Sequence, residues 1–280
     1  MKFKPSELKT AQFHQYLLSA IAPRPICFAS TIDASGNVNL SPFSFFNVFG
    51  SKPPILIFSP ARRVRDNTIK HTLENAIETK EVVINVVNYA IVQQMSLSSC
   101  EYPKGISEFE KSGLTPIASE IVKPFRVKES PVQFECKVLE VKETGSEGGA
   151  GNLIICEVLM MHINNDVLNE NQQIDPHKID LVARMGADYY CRASGNAVFE
   201  VAKPNLNLGI GIDALPEFIR QSKVLTGNQL GQLGNSTSIP QIDIHFKLKS
   251  TDYLEQLAQE YLDKNEVDHA WQVLLRIKAN

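Results

Sequence analysis

The sequence predicts a mainly β protein with flanking helices: a closed or nearly closed barrel, then a mixed, partly helical C-terminal extension. Three features predict it. Short apolar runs rich in β-branched residues recur as far as about residue 165. Polar turn residues and prolines punctuate them at short intervals. Beyond about residue 194 the texture shifts to Asn- and Gly-rich stretches and helix-period segments. We therefore expect two domains, residues 1–193 and residues 194–280.

The elements follow in chain order. After a helical start over 5–19, residues 26–32 form an apolar run that ends in the turn signal Asp33-Ala34-Ser35-Gly36-Asn37. Extended character resumes at 38–40, so the two runs make a hairpin. Pro53 and Pro54 break the chain before another buried strand at 55–59. Residues 68–79 read as a helix, because Ile69, Leu73, Ala76 and Ile77 share one face at helical spacing. Residues 81–87 carry Val82, Val83, Ile84, Val86 and Val87, which suit a strand buried on both faces. A helix at 90–98 and strands at 132–141 and 153–163 complete this part. The loop between the last two, 145–151, holds four glycines and reads as flexible. In the extension, 199–212 is rich in Asn and Gly. Helices are expected at 215–225 and, with a polar break, at 253–277, and 227–240 reads as a connection.

Composition excludes some functions. A net charge of −3 provides no basic field for a nucleic-acid backbone. No apolar run approaches the ~20 residues that span a bilayer, and the first ten residues are polar. The five cysteines form no CxxC pair, so neither a zinc site nor a disulfide framework is expected, and no metal. Cys27, Cys136 and Cys156 fall inside apolar runs and read as inert buried thiols. Together these lead us to expect a cytoplasmic protein with no nucleic-acid or membrane partner.

The stretch 22–60 is the most informative. It contains Arg24-Pro25, Ser30-Thr31, Gly36, Asn39, Ser41, the run Pro42-Phe43-Ser44-Phe45-Phe46-Asn47, and Pro53-Pro54. Hydroxyls at a strand end can hold a phosphate, and phenylalanines can wall a flat ring. The same residues also suit a strand end and turn packed into a core. Downstream, Arg62, Arg63, Arg65, Lys70 and His71 lie within ten residues, before and at a predicted helix start. Cations and a positive helix end attract a dianion, although a solvated basic loop has the same composition.

These words, with Lys70-His71-Thr72-Leu73-Glu74-Asn75, resemble the flavin reductase-like family, whose members have an FMN-binding split-barrel fold. The resemblance covers roughly residues 15–190. It implies FMN at the barrel edge, commonly near a homodimer interface. By that match Ser30, Thr31, Asn39, Ser41, Phe43, Ser44, Phe45 and Asn47 contact the ring and ribityl chain. Arg63, Arg65, Lys70 and Thr72 lie on the phosphate side. His162 stands where many members carry a histidine, and it is expected to contact a nicotinamide or a substrate. Residues 101–109 resemble a segment that covers the mouth of the site.

The activity so implied is hydride transfer from NADH or NADPH to FMN, then electron delivery to a flavin, a metal complex or a protein. No catalytic side chain is expected, because the cofactor carries the chemistry. The alternatives are an electron carrier that a partner reduces, a split-barrel oxidase or oxygenase partner, and a module whose active part is residues 195–280.

Overall fold

In the computed structural model, which describes residues 1–204, 207–248 and 252–277, the chain divides into two compact units, Met1–Phe199 and Glu200–Asn280. The first opens with helix α1 (Thr10–Ala20) and strands β1 (Arg24–Pro25), β2 (Cys27–Ile32), β3 (Val38–Phe43), β4 (Phe46–Ser51) and β5 (Pro54–Phe58). Helix α2 (His71–Thr79), strand β6 (Glu81–Val86) and helices α3 (Val92–Leu97) and α4 (Glu108–Ser112) come next. Strands β7 (Pro116–Ile117), β8 (Arg126–Val127), β9 (Val132–Glu143), β10 (Asn152–Ile163), β11 (Val182–Arg184) and β12 (Tyr190–Arg192) follow.

Seven strands form one antiparallel sheet in the order β3-β2-β6-β9-β10-β5-β4. Its two edges, β3 and β4, are neighbours in sequence, separated only by Ser44 and Phe45. Three residue steps reach roughly 10 Å, whereas seven flat strands are about 29 Å across. The sheet therefore curls until its edges face each other, and the edges do not pair. This is a split barrel.

Alternation sends Cys27, Phe43, Phe58, Ile84, Cys136 and Ile154 into one interior cluster, which Leu73 and Ala76 of α2 join. The three interior thiols are buried as expected: burial pushes Cys156 up to about 12 and raises Cys27 and Cys136 well above the ordinary thiol value. Outward residues of β2 and β3, Phe28 and Leu40, pack with Met95 of α3 and Phe109 of α4. Strand β2 is thus covered on both faces.

Outward on β9, Glu135 is fully buried. Its carboxylate accepts the backbone N–H groups of Glu120 (2.9 Å), Ile121 (2.6 Å) and Val122 (3.1 Å), fastening that turn to the barrel wall. Burial pushes its pKa up, but these bonds and one to His162 outweigh burial and hold it below the usual glutamate range.

The second unit contains α5 (Glu217–Arg220), α6 (Gly227–Gly234), α7 (Leu254–Asp263) and α8 (Val267–Leu274) around a core that includes Ile219, Leu233, Leu262 and Trp271. The Trp271 indole N–H donates to Ser236 Oγ at 2.9 Å. The stretch read as a connection holds α6, which starts on a capping box of Thr226 and Gln229. Its last glycine, Gly234, serves close approach: a Cβ there would lie 3.0 Å from the Gly211 carbonyl carbon, and one at Gly209 would lie 2.6 Å from the Gly234 carbonyl oxygen. The helix expected over 215–225 is confined to Glu217–Arg220, and the one over 253–277 is two helices broken around Asn265, whose φ is +60°. Residues 205–206 of the Asn/Gly-rich stretch lie outside the described residues. Strand β4 escaped the sequence reading because Asn47, Val48 and Phe49 are exposed in succession, which leaves no alternation to read.

Phe58 is fully buried at the barrel centre. Phe58→Ala is expected to cost about 3–5 kcal/mol, seen as a lower urea midpoint with unchanged slope. Glu135→Gln is expected to cost about 2–3 kcal/mol near neutral pH. Because the folded-state pKa of Glu135 is depressed, its contribution is present above about pH 4.3 and lost as pH falls through the folded value. The gap between variant and wild type should therefore narrow in acid, which paired unfolding curves would test.

Candidate functional site

The Pro42–Asn47 run crosses the seam between the barrel edges, so its side chains leave the sheet at the split. Phe43 points inward and packs on Phe58, ring centroids 5.2 Å apart. Ser44 is half-buried, Phe45 is exposed beside His14, and Asn47 lies on the exposed β4 edge, accepting the Val48 N–H at 2.8 Å. The Phe45 carbonyl accepts the Ser59 N–H at 2.9 Å, tying the crossover to the end of β5.

Thr31, Asn39 and Thr72 meet in a buried network that also contains Asn75. Asn39 Nδ2 donates to Thr72 Oγ1 (2.9 Å) and Thr31 Oγ1 (3.2 Å), and Asn75 Nδ2 donates to Thr31 Oγ1 (3.1 Å). These bonds seat α2 on the β2–β3 hairpin, where Thr31 pairs with Asn39. Ser41 follows Asn39 on the same face of β3 and is half-buried. Ser30 is fully buried, and its hydroxyl has no hydrogen-bond partner.

The basic loop is built as a rigid piece. Arg63 donates to Thr68 Oγ1 (2.8 Å) and to the Ile69 carbonyl (2.7 Å). The glycine-rich loop between β9 and β10 clamps it. Arg62 N donates to the Ala150 carbonyl, Gly149 N to the Arg62 carbonyl, and Asn67 Nδ2 to the Ser146 carbonyl. A Cβ at Gly148 would sit 3.0 Å from the Arg63 carbonyl oxygen, so this approach favours glycine.

Lys70 precedes α2 directly, and its Nζ lies 5.2 Å from the Phe43 ring centroid. This contact joins the basic loop to the seam. Burial, then the nearby Arg63 charge, lowers the Lys70 pKa, with Glu101 and Glu108 acting in the opposite sense. Glu108 accepts the Leu40 N–H at 3.0 Å along the β3 edge, and burial raises its pKa. Glu101, in the segment expected to cover the mouth, accepts from Arg63 Nε at 2.8 Å and also pairs with Arg65. Arg63, Arg65 and Lys70 are thus brought together.

His162 lies elsewhere in the chain. It is ten residues along β10 from Asn152, whose side chain bonds the Pro60 carbonyl at the basic-loop end, a span of roughly 33 Å. Its Nε2 is 2.7 Å from Glu135 Oε1. Glu101, Glu108 and Asn75 were not singled out as site residues, because no local pattern marks a side chain whose partner is distant in sequence. A cavity of about 130 Å³ also opens beside the crossover, with Phe43, Ser44, Ser96, Ser99, Arg184 and Tyr190 in its wall.

A flat ring with an anionic tail fits these residues. Arg62 Nε is a buried donor without a partner, and three cations stand beside an aromatic seam. Among the described residues, no cluster of His, Cys, Asp or Glu could hold a metal, and no helix is long and apolar enough to cross a membrane.

Comparison with known proteins agrees with this geometry. Residues 19–180, more than half of the chain, match the model of the flavin reductase like domain. An uncharacterised Aquifex aeolicus protein is 36% identical over 201 residues, covering 72% of this chain and all of its own length. Nitrilotriacetate monooxygenase component B from Bacillus cereus superposes with a TM-score of 0.66 at 27% identity, covering 72% of this chain and 98% of its own. A candidate flavin reductase with a split barrel domain from Shewanella frigidimarina gives 0.61 at 29%, covering 72% and 100%. The chain belongs to the flavin reductase-like family of split-barrel flavoproteins, whose work is flavin-linked oxidoreduction.

Proposed function

We propose that this chain is an FMN-dependent oxidoreductase that takes a hydride from NADH or NADPH and passes electrons to a flavin, a metal complex or a protein. The observation that carries the reading is the placement of Lys70. It joins a rigid cationic loop and the N-terminal end of α2 to the seam at Phe43. A phosphate held by Arg63, Arg65 and Lys70 would also face the positive helix end. In this reading Ser41 and Ser44 would meet a ribityl chain or ring edge, and Phe43 and Phe45 would wall the ring. Asn47 closes the far end of the crossover. Thr31, Asn39 and Thr72 serve this site by fixing α2 on the hairpin.

Bound FMN supplies the hydride-accepting chemistry. The protein's part is to position the donor, exclude water and set the local field. We further propose a homodimer. The β4 edge exposes Val48 and Phe49 at 64% each, an apolar sheet edge that a second copy would cover. His162 enters this reading through that second copy, because it is remote from the basic loop of its own chain.

The test is the visible spectrum of the purified protein, then anaerobic titration with NADH and NADPH. Bleaching of a bound flavin band by one pyridine nucleotide is the expected result and names the donor. Bound flavin that stays oxidised favours the electron carrier, and no flavin after incubation with FMN overturns the proposal. For the site, Ser44→Ala and Lys70→Ala are each expected to weaken FMN retention about tenfold or more. The Lys70 effect should be largest at low salt. Unchanged FMN affinity in both variants would sink this placement.

A further inference from the structure

Strand pairing outside the barrel brings two arginines together. Arg24 of β1 stands opposite Arg184 of β11. Arg24 is buried, and its guanidinium donates to the carbonyls of Leu18, Ile21 and Met185. Burial and the Arg184 charge both lower its pKa. Among the described residues neither arginine takes part in an ion pair. Two neighbouring cations without a carboxylate leave local positive charge, which acts strongly where water is partly excluded.

Arg184 can present that charge to a ligand. It is half-buried and donates to Tyr190 Oη at 2.6 Å and to the Ala187 carbonyl at 2.9 Å. Those bonds use two of the five N–H donors that a guanidinium offers. Its carbon lies 4.8 Å from the Tyr190 ring centroid, so the side chain is held in place.

The cavity beside Ser44 continues this feature. Its wall shares Tyr190 and Ser96 with a second cavity of about 210 Å³, whose wall includes Tyr89, Val182 and Arg192. There Arg192 stacks over Tyr89 at 3.8 Å from the ring centroid. Asp180 neutralises it through two bonds of 2.7 Å. Arg192 therefore contributes a flat face, and Arg184 contributes the uncompensated charge. Cavities of this size suit one or two rings rather than a drug-sized ligand.

We propose that these adjoining cavities bind an aromatic anion, its ring between Tyr190 and the Tyr89–Arg192 wall and its anionic group on Arg184, beside Ser44. Such a ligand would be the second reactant of the flavin site; that role rests on the FMN reading, whereas the binding itself does not. Among such anions an aromatic carboxylate fits the two cavities in size, whereas a dinucleotide exceeds them. Arg184 and Arg192 both lie beyond the residues that match the family domain.

The test uses the full chain, with flavin content first read from its visible spectrum. Benzoate and benzamide are titrated calorimetrically into wild type, Arg184→Gln and Arg184→Lys. Wild type is expected to bind benzoate at least tenfold more tightly than the Gln variant, with the Lys variant between them. Benzamide, which lacks the charge, should bind weakly and equally to all three. Equal binding of benzoate and benzamide by wild type overturns the proposal, as does a Gln variant with undiminished affinity for benzoate. The benzoate–benzamide contrast in wild type decides the matter for the small acid even if the Gln variant fails to fold. Charge-dependent binding by a protein that takes up no FMN would keep the cavity and remove the FMN reading instead.

Discussion

Everything in the barrel follows from a short tether. Phe43 ends one edge strand and Phe46 begins the other, with two residues to cross between them. That crossing is far shorter than the width of a flat seven-stranded sheet, so closure is imposed by chain length and does not await side-chain preference. Side chains then make closure favourable. Phe43 and Phe58 fill the interior at the seam, and Leu73 and Ala76 of α2 complete it. The edges stay unpaired, so Ser44 and Phe45 leave the sheet at the place where a ligand can approach backbone and side chains together.

The second constraint is that α2 must sit in one place. The Thr31–Asn39–Thr72–Asn75 network is buried, and buried polar groups demand partners of defined geometry. That network registers the helix on the β2–β3 hairpin and so sets where Lys70 stands. The glycine-rich loop holds the other end of the basic segment through backbone bonds. A cationic loop that looks mobile in composition is thereby clamped at both ends. Site and fold share the same parts: the crossover closes the barrel and offers the seam, and α2 caps the core and offers its positive end.

Buried carboxylates do related work elsewhere. Glu135 gathers three backbone N–H groups from one turn, and Glu108 takes the Leu40 N–H on the open β3 edge. Each satisfies donors that no strand reaches, which is how a split sheet tolerates its own edges. In the second unit the same need is met by backbone proximity, where Gly209 and Gly234 let the chain pass closely enough to bond.

By itself the sequence determined the β-rich class, the strands at 26–32, 81–87, 132–141 and 153–163, and the buried thiols, because those depend on local alternation and turn chemistry. The uncommon run at 42–47 identified the family and the flavin, since its order of residues is specific even where its composition is not. The helix α6 was hidden, because four residues of that eight-residue element are glycine or asparagine and only the Thr226–Gln229 cap marks its start. Tertiary structure alone decided the rest. It set Glu101 against Arg63 and Arg65, placed His162 beside Glu135 at the far end of β10, and paired Arg24 with Arg184. Each of these joins residues tens of positions apart or more, and no local period encodes such a meeting. It arises when a short crossover forces one sheet to close on itself.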